Sequence, residues 1–322
     1  MSARSWLAAS AASLFALAVT PAVAQQYPVK PVRIVIPFAP GGGTDFIARI
    51  MAQKLTEAWG QQVIPDNRPG AGGTVGAELG AKAPPDGYTL TMLAGSYGVN
   101  PALYKLNFDP VNDIQPVIQI AKGPIIVVVH PSMPVKTIKD LIALAKARPG
   151  QINYASSGQG SILHMATEHF SSMAGVKMNH IPYKGTGPAI TDTVAGQTTL
   201  LFGSIATTLP QVKNGRLRAI AVTTMQRLAA QPDIPTVHES GLPNYDVTNW
   251  HGLMAPRGTP RPIVDKINAD VTRIISQKDM EENLMSDGVS PSGGSPELFS
   301  QILAKEIALW KKVAAQAKVR VD

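Results

Sequence analysis

Short apolar runs alternate along this chain with longer segments in which apolar residues recur every three or four positions. The short runs are 32–37, 88–93, 125–129, 152–155, 199–202, 217–223 and 252–255, and several are apolar throughout. Strands of that kind are covered on both faces, as in the parallel sheets of α/β proteins. Between them, Phe46, Ile47, Ile50, Met51, Leu55 and Trp59 make one apolar stripe, with Thr44 or Asp45 placed to cap the helix. Thr137 opens a second helix carrying Ile138, Leu141, Ile142 and Ala145, which Pro149-Gly150 ends. The segments 260–277 and 296–318 predict two further long helices. The pattern is α/β, without an internal repeat.

The junctions between runs carry the chemistry. Pro37-Phe38-Ala39-Pro40-Gly41-Gly42-Gly43-Thr44-Asp45 joins the first strand to the first helix. Three glycines let the backbone turn sharply and approach a ligand without Cβ interference. The amides and dipole of the following helix favour negative charge at that turn. Similar turns follow other strands: Gly95-Ser96-Tyr97-Gly98, Ser156-Ser157-Gly158-Gln159-Gly160-Ser161, Gly185-Thr186-Gly187 and Gly203-Ser204. Ligands of open α/β sheets bind outside the carboxyl ends of the strands, so this set predicts a polar crevice.

Composition sets the compartment. Arg4, an Ala/Leu-rich stretch over 6–19 and Ala22-Val23-Ala24 read as a secretory leader, 1–24, and place the mature chain in the periplasm. The chain contains no cysteine, which excludes disulfides and attachment through a lipidated N-terminal cysteine. Its net charge falls from +7 to +6 when Arg4 is removed, and Lys311-Lys312 is the only adjacent basic pair. Nucleic-acid binding needs a clustered basic stripe, and none is present.

Catalytic and cofactor motifs are weak. Ala94-Gly95-Ser96-Tyr97-Gly98 resembles a nucleophile elbow, but Pro101 suits only a first helical turn and no base can be assigned. His164, Glu168 and His169 miss the zinc-helix spacings, so no metal or cofactor is expected. Gly70-Ala71-Gly72-Gly73 suggests a dinucleotide loop, yet Pro65 and Pro69 stand where a buried strand should enter.

Eight segments along the chain form a set. They are Ile36-Pro37-Phe38-Ala39-Pro40-Gly41-Gly42-Gly43-Thr44-Asp45, Asn67-Arg68-Pro69-Gly70-Ala71-Gly72-Gly73, Pro85-Asp86-Gly87-Tyr88-Thr89-Leu90 and Asn100-Pro101-Ala102-Leu103-Tyr104. Asn153-Tyr154-Ala155-Ser156-Ser157-Gly158-Gln159-Gly160-Ser161, Pro182-Tyr183-Lys184-Gly185, Pro235-Thr236-Val237-His238-Glu239-Ser240-Gly241 and Trp250-His251-Gly252 complete it. Taken together and in this order, the eight resemble the Bug or TctC family of periplasmic solute-binding proteins of tripartite tricarboxylate transporters.

The resemblance implies a non-catalytic, two-lobed Venus-flytrap (type II-like) fold, with lobe one at 27–123 plus 247–322 and lobe two at 124–246. It also implies a monomer that binds a small carboxylate in the cleft and serves membrane transporter subunits or a sensor kinase. Carried over from the family, the ligand site comprises Phe38, Pro40, Gly41, Gly42, Gly43, Thr44 and Asp45, with Ser96 and Tyr97. Lobe two supplies Ser156, Ser157, Gly158, Gly160, Ser161 and His164, then Lys184, Gly185, Gly187, Ser204 and Thr207. Asp45 reads as a helix-start cap in preference to a ligand contact. Lys184 is open between a ligand's second carboxylate and solvent, and Thr199 stands where the family commonly has an acidic residue. The competing class is an exported hydrolase of small esters or amides built on Ser96.

Overall fold

A computed structural model describes residues 27–286, 288–317 and 319, so the expected leader, 1–24, lies outside the described residues. The chain begins with β1 (Val32–Ile36), α1 (Gly43–Trp59), β2 (Val63–Asn67), α2 (Thr74–Ala81), β3 (Thr89–Ala94) and α3 (Ser96–Leu103). Next comes a long strand, β4 (Ile114–Val129), followed by α4 (Ile138–Ala147), β5 (Asn153–Ser156), α5 (Ile162–Ala174), β6 (Asn179–Pro182) and α6 (Thr186–Val194). After β7 (Leu200–Ser204), α7 (Ile205–Lys213) and β8 (Arg218–Val222), β9 (Thr248–Pro256) leads to α8 (Arg261–Ile275), α9 (Lys278–Ser286), β10 (Ser290–Pro291) and α10 (Pro296–Ala317).

The strands form one mixed sheet rather than a purely parallel one. β1 pairs in parallel with β2 and β3, and β5 pairs in parallel with β6 and β7. β4 and β9 run antiparallel to their neighbours and join the two groups. Residues 114–124 of β4 lie beside β9, whereas Ile125 to Val129 lie between β7 and β8. Two α/β lobes result, and β4 is common to both.

The change of partner along β4 is stitched by Thr223. Its buried hydroxyl accepts from Ile125 N at 2.8 Å and donates to Val247 O at 2.6 Å. One side chain therefore ties the outgoing strand to the returning one at the point where the chain passes between lobes. Apolar clusters fill each lobe behind the sheet. α10 is shared: Phe299, Leu303 and Ile307 pack with Leu93 and Trp250, while Trp310, Val313 and Ala314 join the cluster containing Phe170 and Tyr245.

Three local readings change. β2 does run into the Gly70 turn; Pro65 is tolerated because β2 is the last strand of the sheet, where a missing amide breaks no inner ladder. Pro101 lies inside α3 rather than in its first turn. α1 starts one residue after Gly42, so neither Thr44 nor Asp45 is its cap. Thr137 caps α4 as expected, with its hydroxyl on Asp140 N and the Asp140 carboxylate on Thr137 N.

Thr223→Val is expected to destabilise the protein by about 1–3 kcal/mol, because a buried amide and carbonyl lose a shared partner. Thr223→Ser, which keeps the hydroxyl, should retain most of that stability. Urea unfolding of the two variants checks the difference.

Candidate functional site

In each lobe, short loops carry the chain from the carboxyl end of a strand straight into a helix. β1 leads to α1, β3 to α3, β5 to α5, β6 to α6 and β7 to α7. All five helices begin around one cavity between the lobes. Gly42, Gly43 and Thr44 line it from the start of α1, Ser96 from α3, Ile162 and Leu163 from α5, Thr186 from α6 and Ser204 from α7. Phe38, Ala94, Ser157 and Asn249 complete the wall. The space is about 10 Å³, room for one water-sized group. A second cavity of about 320 Å³ lies outside it, lined by Gly70 to Gly73, Tyr104, Gln159, Tyr183 and Lys184 among others. Phe38 and Ser157 line both and so stand between them.

First-turn amides of a helix have no intrahelical acceptor, and each helix start carries roughly half a positive charge. The starts of α1, α3, α6 and α7 have no side-chain cap, so no side chain of the cap residue competes for their first-turn amides. Among the described residues, no lysine or arginine lines the inner cavity. Its positive potential therefore comes from backbone dipoles, and its donors are amides and hydroxyls.

The lobes touch at this place through backbone and small side chains. A Cβ added to Gly43 would lie 2.0 Å from Ser204 Oγ, so only glycine allows this approach. Gly72, with φ of 61°, brings its α-carbon against the Gln159 carbonyl, where a Cβ would lie 2.4 Å from the oxygen. Polar ties cross as well: Ala39 N donates to Lys184 O at 2.9 Å, Ile162 N to Ser96 Oγ at 3.0 Å, and Tyr104 Oη to Gln159 O at 2.7 Å.

Asp45 is buried in the first turn of α1, with its carboxylate turned back onto the loop. It accepts from Gly41 N at 2.9 Å, Asn67 Nδ2 at 2.9 Å and Arg49 Nε at 2.9 Å. Burial pushes the carboxyl up, but the hydrogen bonds from Arg49, Gly41 and Asn67, with the guanidinium charge, outweigh it and hold Asp45 below the usual range. It stays ionised, paired, and occupied with shaping the glycine turn.

Lobe two fixes its loop without charge. The rings of His164 and His180 stack at 4.0 Å, and Tyr154 stacks on His180 at 4.9 Å. His164 Nδ1 accepts from Gly160 N at 3.1 Å, while His180 Nε2 lies 2.6 Å from Ser156 Oγ, which also accepts from Gly158 N. Burial lowers His164 to about 4; burial, together with the neighbouring His164, lowers His180 to about 3. Both rings are neutral at pH 7, as an accepting Nδ1 requires.

The structure brings most of the expected residues together and moves some away. Phe38, Gly42, Gly43, Thr44, Ser96, Ser157 and Ser204 line the inner cavity; Gly158 and Lys184 line the outer one, Lys184 as an exposed residue. Pro40 is exposed, with its carbonyl against Gly187, and Gly41 and Gly185 shape the inter-lobe contact rather than the cavity wall. Tyr97 turns away from the cleft: its ring stacks on Phe108 and its hydroxyl donates to Pro110 O at 3.0 Å. Ser156, Gly160 and His164 spend their polar atoms on one another and on His180, and Ser161 caps α5 through His164 N. Thr207 lies inside α7 and lines neither cavity. Thr199 precedes β7 at the end opposite Ser204, about 16 Å along the strand from the cavity, so its departure from the acidic pattern lies away from the site.

Sequence reading missed Asn249, Ile162, Leu163 and Ala94. Asn249 directly precedes the Trp250-His251-Gly252 motif and accepts from Gly95 N at 3.2 Å, holding the α3 turn. The Asp45–Arg49 pair was legible as an i,i+4 spacing.

Acid should test the imidazole stack. An unfolded histidine titrates near 6.5, whereas His164 and His180 titrate lower when folded, so below about pH 6.5 the unfolded chain binds more protons. Stability is therefore complete above about pH 6.5 and declines as pH falls toward 4. Melting temperatures between pH 7.5 and 4.5 should drop less in His180→Gln than in the wild type; equal drops would remove the stack from the acid response.

With this geometry in view, the family model described as tripartite tricarboxylate transporter family receptor matches residues 47–318. Protein BugT of Bordetella pertussis is 33% identical, covering 94% of this chain and 93% of its own. Among solved structures, R. palustris Rpa4515 with adipate is 36% identical with a TM-score of 0.89, the match covering 91% of this chain and 99% of that one. MatC from Rhodopseudomonas palustris with bound malate is 33% identical with a TM-score of 0.86, covering 89% and 99%. Motif order, two-lobed fold and the model match over most of the chain agree: this protein belongs to the TctC family of tripartite tricarboxylate transporter receptors.

Proposed function

We propose that this protein is an extracytoplasmic receptor that binds a small carboxylate between lobes 27–123 plus 247–322 and 124–246, and presents it to tripartite-type transporter subunits. The observation that carries this reading is the convergence of five helix starts, from both lobes, on a cavity without a cationic side chain. A carboxylate there accepts from amides and hydroxyls, each charge-assisted bond contributing about 1.5–3 kcal/mol. Donors come from both lobes, so ligand stabilises the state in which they meet. The outer cavity, with Lys184 at its wall, gives room for the remainder of a longer acid. The adipate and malate named with the two R. palustris structures are acids of this kind.

Turnover is not part of this reading. Ser96, the nucleophile of the competing hydrolase, accepts the Ile162 amide across the cleft and starts α3. Its role is to join the lobes over the ligand, which leaves unchanged. Export follows from the leader read at 1–24; among the described residues no helix is long and apolar enough to cross a membrane.

A thermal-shift panel on residues 25–322 with di- and tricarboxylates, amino acids and aromatic carboxylates tests the reading. A bound acid at about 100 times its dissociation constant should add about 2.7 kcal/mol of stability and raise the melting temperature. No rise with any carboxylate, on protein freed of ligand by denaturation and refolding, would overturn it. Gly43→Val should abolish binding because the new side chain meets Ser204 and holds the lobes apart, with little loss of fold. Ser96→Ala should weaken affinity by about 3- to 10-fold, the value of one hydrogen bond; calorimetry reads both.

A further inference from the structure

One buried polar side chain near the cavity has no partner. His251 lies on β9 and is 3% exposed, and neither ring nitrogen has a hydrogen-bond partner among the described residues. Buried polar groups are nearly always paired, so an orphaned imidazole calls for a role. Its neighbours in the sheet are small: Ala94 of β3 and Ala121 of β4 stand opposite it. The same face of β9 carries Asn249, two residues earlier, and both Asn249 and Ala94 line the inner cavity. A Cβ added to Gly43 would lie 3.6 Å from His251 Nε2 and 2.0 Å from Ser204 Oγ. The imidazole thus sits immediately behind the wall where α1 and α7 begin.

Among the described residues, the surroundings contain no fixed counter-charge for it. On α1 the nearest charges to the helix start, Asp45 and Arg49, are paired with each other. β3, β7 and the rest of β9 contribute no ionisable side chain, and α7 carries Lys213 only at its far end. On β4, Lys122 is exposed beside Trp250, and Glu306 lies on α10, which packs on the Trp250 face of the sheet, and accepts from Trp310 Nε1 at 2.9 Å. Burial is the sole cause that lowers His251, to about 4.

We propose that His251 is the charge-responsive residue of the inter-lobe site: an anion held at the starts of α1 and α7 stabilises the protonated form of its imidazole, so that ligand binding takes up a proton from solvent. The inference rests on the carboxylate reading above. An opposite charge within about 4–6 Å favours the charged imidazole and raises its pKa by about 1–3 units. The proton comes from solvent, and the imidazolium then faces the anion across the wall at Gly43, from which Nε2 is separated by little more than a side-chain carbon. His251 acts through charge and through the wall formed by Gly43 and Ser204, and is a positioning residue.

Calorimetric titration of the wild type and His251→Gln with malate and with adipate, at pH 6.0 and 7.5 in buffers of two ionisation enthalpies, tests it. The wild type should take up a fraction of a proton at pH 6.0 beyond that taken up by H251Q. Its affinity should fall about two- to eightfold between pH 6.0 and 7.5, as a bound-state rise of two to three units requires, with H251Q showing less change. Binding with equal proton uptake in both proteins would overturn the role of His251 and leave the carboxylate reading intact. Failure of every carboxylate to bind the wild type would remove the reading and this inference with it. If H251Q does not fold, the His251 ring followed by NMR in the wild type decides: its pKa should rise on adding the bound acid, and an unmoved pKa overturns the proposal.

Discussion

A carboxylate can be held without arginine only if several backbone dipoles meet at one point, and that requirement organises this molecule. Helix starts can converge only where strands end side by side and loops are short. β1 and β3 meet it in one lobe, and β5, β6 and β7 in the other, each delivering a helix within a few residues of the strand end. Glycine then matters for distance more than for flexibility. At Gly43 the space a side chain would fill is taken by the hydroxyl of Ser204 from across the cleft. The cavity wall is thus an assembly of loop backbones, and the sheet aims them.

The two lobes keep their loops in shape by different chemistry. In one, the Asp45 carboxylate gathers Gly41, Asn67 and Arg49 into a charged knot whose net charge is near zero. In the other, neutral imidazoles and a tyrosine stack beneath the serine-glycine turn. Neither arrangement places a free charge against the cavity. An arriving anion therefore meets the helix dipoles without a competing carboxylate or a dominating cation.

Much of this was readable in the chain, and the limits have physical causes. The apolar runs marked the central strands because burial on both faces leaves no polar position, and the glycine turns marked the ends of strands. Residues 114–124 of β4 escaped because Gln115, Gln119 and Lys122 interrupt the apolar pattern where the strand faces several surroundings in turn. β2 escaped because an edge strand tolerates proline. At the site, residue type pointed to the right loops but not to side-chain direction. Tyr97 and Phe38 both follow strand ends, yet one turns into the core and the other to the cleft, a choice made by the tertiary contacts of Tyr97 with Phe108 and Pro110 in the loop after α3. His251 carries no signal of its own in the chain, since nothing in a sequence shows that a histidine will be left without partners.

The C-terminal helix has a mechanical meaning that its packing alone does not announce. α10 lays Phe299, Leu303 and Ile307 on one lobe's cluster and Trp310, Val313 and Ala314 on the other's, along a single rod of 22 residues. A hinge made only of β4, Thr223 and β9 would let the lobes twist as well as part. The rod spans the joint like a splint, so a rotation about the crossing strands must carry its last turns along or slide them over α5. Any twist of one lobe on the other would therefore unseat Trp310, Val313 and Ala314 from their apolar cluster, so the last turns of the chain hold the two lobes in register.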